Sequence, residues 1–286
     1  MSGPGGRSNV ESGPGGRSNV ESGPAVLVTN DDGVGSPGLA ALIRAVAGPG
    51  RRVVVAAPAS DQSGTSAAIA PRPPEGVRIE PVRIAGLDEP GFEYLLAFSV
   101  DGPPALAVLG ARLGELGQAA AEATIVASGV NLGPNTGTSV LFSGTVGAAL
   151  AGASVGLSGL AVSINAFRPA HFATATTVAA AALDWIVDAP AGTVLNVNVP
   201  DLPADRLAGV CQAPLATFGT VQAAVREPDG NPYTAEFRFT APDPEAGTDG
   251  ALLREGWVTV TALLGVRADT DAEVASFIER AVARAA

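Results

Sequence analysis

The sequence predicts an α/β protein with a mostly parallel sheet covered by helices on both faces. Three observations carry that reading. Short apolar runs rich in Val, Ala and Leu recur along the chain, as strands buried on both faces do. Helical segments alternate with them, which is the connection that parallel neighbours need. Several runs stop at Pro, Asn, Asp or Gly, residues that turn or break the backbone.

Ala25–Thr29 is the first such run, and a polar loop follows it. A helix begins at about Pro37, because proline is well placed in a first helical turn. Residues 52–57 form a second buried strand ending at Pro58, and 94–98 a further one. A helix from about 103 to 116 leads to a strand at 124–127. Residues 143–155 read as a helix, 161–164 as a strand, 173–187 as a helix and 194–199 as a strand closed by Pro200. After Pro200 the rhythm weakens. Residues of about 208–250 read as β-ribbon and loops without an obvious core, a pattern that leans on another subunit. A strand at 256–263 and an amphipathic helix at about 269–285 complete the chain.

Residues 2–11 and 12–21 repeat one decapeptide, S-G-P-G-G-R-S-N-V-E, followed by S-G-P at 22–24. It has too little apolar surface to offset its chain entropy. Residues 1–24 therefore read as a disordered tail, an engineered scar or a misplaced start, with 25–286 as the folded part. Neither a secretory h-region nor a convincing membrane span is legible. The uncharged stretch 123–167 contains a GxxxG at 152–156 but is interrupted by Asn131, Pro134, Asn135 and many Gly and Ser. One cysteine and no signal peptide suggest the cytoplasm.

Composition removes several chemistries. All 17 basic residues are arginines, and His171 and Cys211 are the single histidine and cysteine. A Walker P-loop or a Schiff base needs a lysine. A structural zinc site needs several Cys or His ligands, and no disulfide can form within the chain. A formal charge of -11 argues against non-specific nucleic-acid binding. It does not argue against phosphate esters, because a divalent cation reverses the local field. Catalysis must then run on carboxylates, hydroxyls, amides, arginines or a bound ion.

In parallel α/β sheets ligands bind beyond the carboxyl ends of the strands. Three polar loops fall there: Asn30-Asp31-Asp32-Gly33, the segment 61–66 containing Asp61 and Ser63, and the segment 128–137 containing Asn131 and Asn135. Asp31 and Asp32 are simple turn residues or a cation site, since adjacent carboxylates repel unless a proton or cation lies between them. Asp, Ser and Asn are hard oxygen donors suited to magnesium or manganese. Ser143-Gly144-Thr145 opens an apolar helix, as an N-cap or as an anion seat made of free N–H groups. The GxGxxG at 33–38 suggests a dinucleotide site. The two aspartates beside it and the Ala57-Pro58 end of the second strand, where a ribose-binding acid belongs, count against that. An aspartyl-phosphate phosphatase is disfavoured by the missing lysine. His171 is an acid–base candidate or a structural residue at a helix start.

Taken together, these segments resemble the SurE family of 5′/3′-nucleotidases. The resemblance lies in T-N-D-D-G at 29–33 with S-P-G at 36–38, A-P-A-S-D-Q-S-G at 57–64, and S-G-V-N-L-G-P-N-T-G at 128–137 running into F-S-G-T-V-G-A-A at 142–149. It continues in N-V-N-V-P at 196–200 and G-T-D at 247–249. It implies a Rossmann-like core and one divalent metal ion, Mg2+ or Mn2+, per subunit on Asp31, Asp32, Ser63 and Asn131. It also implies a homodimer or homotetramer built with exchanged C-terminal arms, and hydrolysis of nucleoside monophosphates. In that reaction Asn135, Ser143, Gly144 and Thr145 are expected to hold the phosphoryl group, with Asp31 and Asp32 as catalytic residues and Asp32 handling a proton. The chain departs from the family at 102–107, where G-T-P-x-D-C is usual, and at Gly35, Phe142 and Ala151, where His, Tyr and Glu are common. A catalytically silent nucleotide-binding homologue is the alternative that these departures leave.

Overall fold

In the computed structural model the described residues are 24–266, except 49, 70–75, 88–89, 93–94, 218–221, 227–233 and 239–242, together with Ala275, Ile278, Glu279 and Val282. The expected tail at 1–24, apart from Pro24, and most of the helix expected at 269–285 lie outside them.

The elements in chain order are β1 (Ala25–Thr29), α1 (Pro37–Val46), β2 (Arg52–Pro58), β3 (Ile79–Pro81), β4 (Leu96–Val100), α2 (Pro104–Arg112) and α3 (Gln118–Ala121). There follow β5 (Ile125–Leu132), α4 (Gly144–Ser154), β6 (Ser158–Ile164), α5 (Phe172–Val187), β7 (Val194–Val199), β8 (Gly209–Gln212), β9 (Gln222–Arg226), β10 (Thr234–Arg238), α6 (Asp249–Arg254) and β11 (Trp257–Leu263). Nine strands form one sheet in the order β3-β4-β2-β1-β5-β6-β7-β11-β8. The six strands from β4 to β7 are parallel, while β3 and β11 join antiparallel.

That order explains where the site lies. From β1 the chain winds outward through β2 to β4, then returns to the other side of β1 as β5. The two halves diverge between β1 and β5, leaving a crevice at their carboxyl ends. Alternate side chains of β1 enter opposite layers. Val26 and Val28 join the cluster that includes Leu39, Leu42 and Ile43 of α1 and Leu183 of α5. Leu27 joins Ala107, Val108 and Ala111 of α2 and Ala148 of α4 on the other face. Leu39, Leu42, Ile43 and Val46 recur at helical spacing, and Ser36 caps the helix by accepting from the Gly38 N–H at 3.2 Å.

Several expectations need correction. The strand read at 94–98 occupies Leu96–Val100, and Tyr94 lies outside the described residues. The helix read to 116 stops at Arg112, with Gly114 and Gly117 at positive φ before the one-turn α3. The strand expected at 161–164 begins three residues earlier, at Ser158. The largest difference is β5, which continues through 128–132, a stretch read as loop. It does so by a bulge: pairing with β6 shifts register between Ser128 and Asn131. Gly129 permits it, since at φ 127 a Cβ would lie 2.2 Å from the Val162 carbonyl oxygen.

Within the expected arm, β8 pairs with β11 in the main sheet, and Ala213 and Ala216 are buried. Of its described strands, only β9 and β10 pair separately, as an antiparallel ribbon. Among the described residues no helix is long and apolar enough to cross a membrane.

Candidate metal and phosphate site

The three polar loops meet at the crevice. The Gln62 N–H donates to the Asp31 carbonyl at 2.7 Å and the Val34 N–H to the Pro58 carbonyl at 2.8 Å, fastening the loop after β2 to the loop after β1. On the other side Thr29 is in register with Ser128 of β5, so the bulge carries Asn131 past the end of β1.

Asp31 is only 3% exposed. Its carboxylate accepts a short hydrogen bond from the Thr145 hydroxyl and further ones from the main chain at Gly144 and Thr145. The carboxylate therefore sits on the N-terminus of α4, where free N–H groups and the helix dipole favour negative charge. Gly144 is required for this approach, because a Cβ there would lie 2.7 Å from Asp31 Oδ2. Burial nonetheless outweighs these donors and raises the Asp31 pKa above the ordinary carboxylate value.

Asp32 is less well provided. It accepts from the Leu132 main chain, but its Oδ2 is buried with no hydrogen-bond partner. Burial first, then the charge of Asp31 and, more weakly, that of Asp61, push its pKa up to about 7. The Thr145 hydroxyl also lies 3.4 Å from Asn131 Oδ1. Asn131 is oriented by donating its amide to the Gly133 carbonyl at 2.7 Å, which leaves the side-chain oxygen as the end that turns toward Thr145.

Asp31, Asp32, Asn131, Gly144 and Thr145 thus converge. The remaining expected residues are engaged differently. The Ser63 hydroxyl and N–H both donate to Asp61 Oδ1, at 2.7 and 2.8 Å. The Ser143 hydroxyl caps α4 by accepting from the Val146 N–H at 3.1 Å. Asn135 ties its loop to β6 and β7. Its N–H donates to Asn198 Oδ1 at 2.8 Å, and its carbonyl accepts from the Asn196 and Asn198 amides at 2.8 and 2.9 Å. Its own amide donates to Ser163 Oγ at 2.9 Å, leaving one amide hydrogen for another acceptor.

A divalent cation fits this donor set. Among the described residues no group of three or more His, Cys, Asp or Glu could hold a metal ion. A site here therefore rests on two carboxylates with neutral oxygens, which suits a hard cation. A buried carboxylate oxygen without a partner is the observation that asks for one.

Four residues carry roles that sequence reasoning missed. Asp61 orients Ser63. Asn196 and Asn198, noticed only as part of a motif, hold Asn135. Asp249, likewise noticed only as a landmark, is fully buried and fastens the 134–137 loop to the C-terminal segment through the Gly137 N–H at 2.9 Å. The alternation of asparagines in N-V-N-V, which turns both amides to one face of β7, was the signal available for Asn196 and Asn198. His171 is structural: its N–H donates to Asp201 at 2.8 Å and its ring lies 3.2 Å from the same carboxylate oxygen.

Known proteins resemble this chain over most of its length. The family model described as "Survival protein SurE" matches residues 26–221. The 5′-nucleotidase SurE of Methylococcus capsulatus is 38% identical over 245 residues, covering 83% of this chain and 90% of that protein. The 5′-nucleotidase SurE of Alkalilimnicola ehrlichii is 36% identical over 245 residues, covering 83% and 88%. The crystal structure of the SurE protein from Aquifex aeolicus superposes with a TM-score of 0.71 at 26% identity, covering 90% of this chain and all of that one. With the family's motifs gathered at one crevice and the match spanning most of the molecule, the chain belongs to the SurE family.

Proposed function

We propose that the protein is a phosphoric monoester hydrolase that cleaves nucleoside monophosphates to nucleoside and phosphate, using one divalent ion per subunit. The observation that carries the proposal is the Asp31–Asp32 pair at the switch point, Asp31 buried and Asp32 half-buried with its Oδ2 lacking a partner. The relatives' printed name, 5′-nucleotidase SurE, supplies the reaction class.

Asp31, Asp32, Ser63 and Asn131 are the residues that would hold Mg2+ or Mn2+. When bound, such an ion polarises a phosphoryl oxygen and makes a neighbouring water more acidic. The protein's own groups do the rest. Thr145 keeps Asp31 and Asn131 in place. The N-terminus of α4, at Ser143, Gly144 and Thr145, lends its helix dipole to a phosphoryl group next to Asp31, with the Gly144 and Thr145 main chain shared with that carboxylate. The free amide hydrogen of Asn135 reaches a further phosphoryl oxygen. Asp32, beside Asp31 and with one carboxylate oxygen unpaired, takes the proton of the attacking water. The P–O bond to the nucleoside breaks in line with the attack, and the leaving oxygen takes up the proton that Asp32 received, becoming the nucleoside hydroxyl.

Assembly as a homodimer or homotetramer through the β9–β10 ribbon belongs to the same proposal, as does a cytoplasmic setting, which the single cysteine suits. The decisive test is phosphate release from AMP, GMP, CMP and UMP with Mn2+, with Mg2+ and with chelator. Metal-dependent release is expected, and its absence for every nucleotide would refute the reading in favour of a silent homologue.

A further inference from the structure

Aromatic residues make up only 5% of the chain, so an exposed ring beside the crevice asks for an explanation. Three Phe or Trp side chains among the described residues are exposed: Phe142, Phe167 and Trp185. Trp185 lies near the C-terminus of α5, toward the opposite edge of the sheet. Phe142 and Phe167 both lie at the carboxyl edge, the latter in the turn after β6.

Phe167 is 71% exposed and joins none of the three apolar clusters. Its ring edge instead rests on main chain. A Cβ on Gly133 would lie 3.0 Å from its Cε1 and 3.5 Å from its Cζ. Gly133 is part of the site's own frame: its carbonyl holds the Asn131 amide, and the preceding Leu132 main chain bonds the Asp32 carboxylate. The turn that carries Phe167 is pinned to its neighbours. Ala166 N–H donates to the Ile164 carbonyl at 2.7 Å, Gly133 N–H donates to the same carbonyl at 3.0 Å, and Asn165 N–H donates to the Val199 carbonyl at 2.8 Å. The ring is therefore held by one edge, with most of its surface open to solvent, one residue away from the main chain that supports Asp32.

We propose that Phe167 is the platform on which the nucleobase of the substrate stacks, making it a specificity residue for nucleotides over phosphate esters without a base. The inference rests on the nucleotidase reading. A neutral π-face suits this acidic, lysine-free chain, which has no ammonium group to grip the nucleoside. Stacking also tolerates any base, because each has a π-face. An ordered aromatic ring loses little conformational entropy when a base covers it.

The experiment compares the Mn2+-loaded wild type with Phe167→Ala, Phe167→Tyr and the surface control Trp185→Ala. KM and kcat are measured for AMP and GMP against ribose 5-phosphate, and AMP binding is measured by calorimetry. Phe167→Ala is expected to raise KM for AMP and GMP about ten-fold at unchanged kcat, with ribose 5-phosphate unaffected. Phe167→Tyr and Trp185→Ala are expected to stay within about two-fold of wild type. Unchanged nucleotide KM in Phe167→Ala, a parallel rise for ribose 5-phosphate, or a change in oligomeric state on size exclusion would each overturn the proposal. If the wild type hydrolyses no phosphomonoester, the nucleotidase reading fails. Calorimetry then decides on Phe167 alone: a ten-fold loss of AMP affinity in Phe167→Ala supports the platform, and equal affinity refutes it.

Discussion

Two buried carboxylate sites in this molecule look alike in sequence and differ in physics. Asp249 is fully buried at the start of α6, and both of its oxygens are engaged. Oδ1 accepts from the Ala216 and Gly250 N–H groups at 2.9 and 2.8 Å, and Oδ2 from the Gly137 N–H at 2.9 Å. Asp31 is buried and Asp32 half-buried beside it; burial raises the pKa of both, the charge of Asp31 adds to the rise at Asp32, and Asp32 Oδ2 is left without a partner. The first arrangement is complete within the chain. The second is complete only with something positive added. Burial alone therefore does not mark a functional carboxylate; unmet hydrogen-bonding capacity does.

The comparison breaks most readily at Asp31. In Asp31→Asn, metal-dependent turnover is expected to fall by a factor on the order of a thousand, because a ligand and a charge are lost together. The metal-free protein is expected to be at least as heat-stable as wild type, since a buried charge has been removed. Phosphate release and thermal melting with and without Mn2+ check both halves. A variant with near-normal turnover would end the assignment.

Asp249→Ala is the mirror experiment. Three charge-assisted bonds disappear and three buried N–H groups lose their acceptor, at a cost of about 3 kcal/mol or more. Urea unfolding should show the same loss in chelator and in Mn2+. A loss that vanishes when metal is present would make Asp249 part of the metal site instead.

Gly144→Ala sharpens the comparison. The added methyl would sit 2.7 Å from Asp31 Oδ2, so either the carboxylate or the helix start must move. Metal affinity is expected to weaken about ten-fold while the fold survives. Calorimetric titration with Mn2+ reads this directly.

Asp201 gives the smallest effect, because it is partly exposed and its donors are on the chain. Burial opposes its charge. The Ala170 and His171 N–H groups and the His171 ring more than offset that, so its pKa lies below the ordinary carboxylate value. A depressed carboxylate stabilises the fold above the unfolded-state pKa, and that contribution is lost as pH falls through the folded-state pKa. Asp201→Asn is expected to lower stability by about 1 kcal/mol at neutral pH, with the difference closing in acid below about pH 4. Urea midpoints at neutral and acid pH test it.

Much of this was legible from residues alone, for local reasons. Apolar runs long enough to be buried on both faces marked β1, β2 and β7 to within a residue, and Pro37, Ser143 and the helical spacing of apolar residues marked α1, α4 and α5. Hard oxygen donors at strand ends, together with the absence of lysine and the scarcity of His and Cys, pointed to Asp31, Asp32 and Asn131. Each of those signals lies within a few residues of chain.

What tertiary structure decided was of another kind. Strand order, and with it the divergence of β2 and β5 from β1, depends on pairings between segments tens of residues apart, which no local pattern encodes. The continuation of β5 through Gly129 was hidden because a bulge reads like a loop until its partner strand is known. The contrast between Asp249 and Asp31 could not be drawn from sequence either, because both are simply aspartates at helix-proximal loops. Only folding determines which backbone N–H groups arrive at a carboxylate, and so which one is satisfied and which keeps an unpaired oxygen.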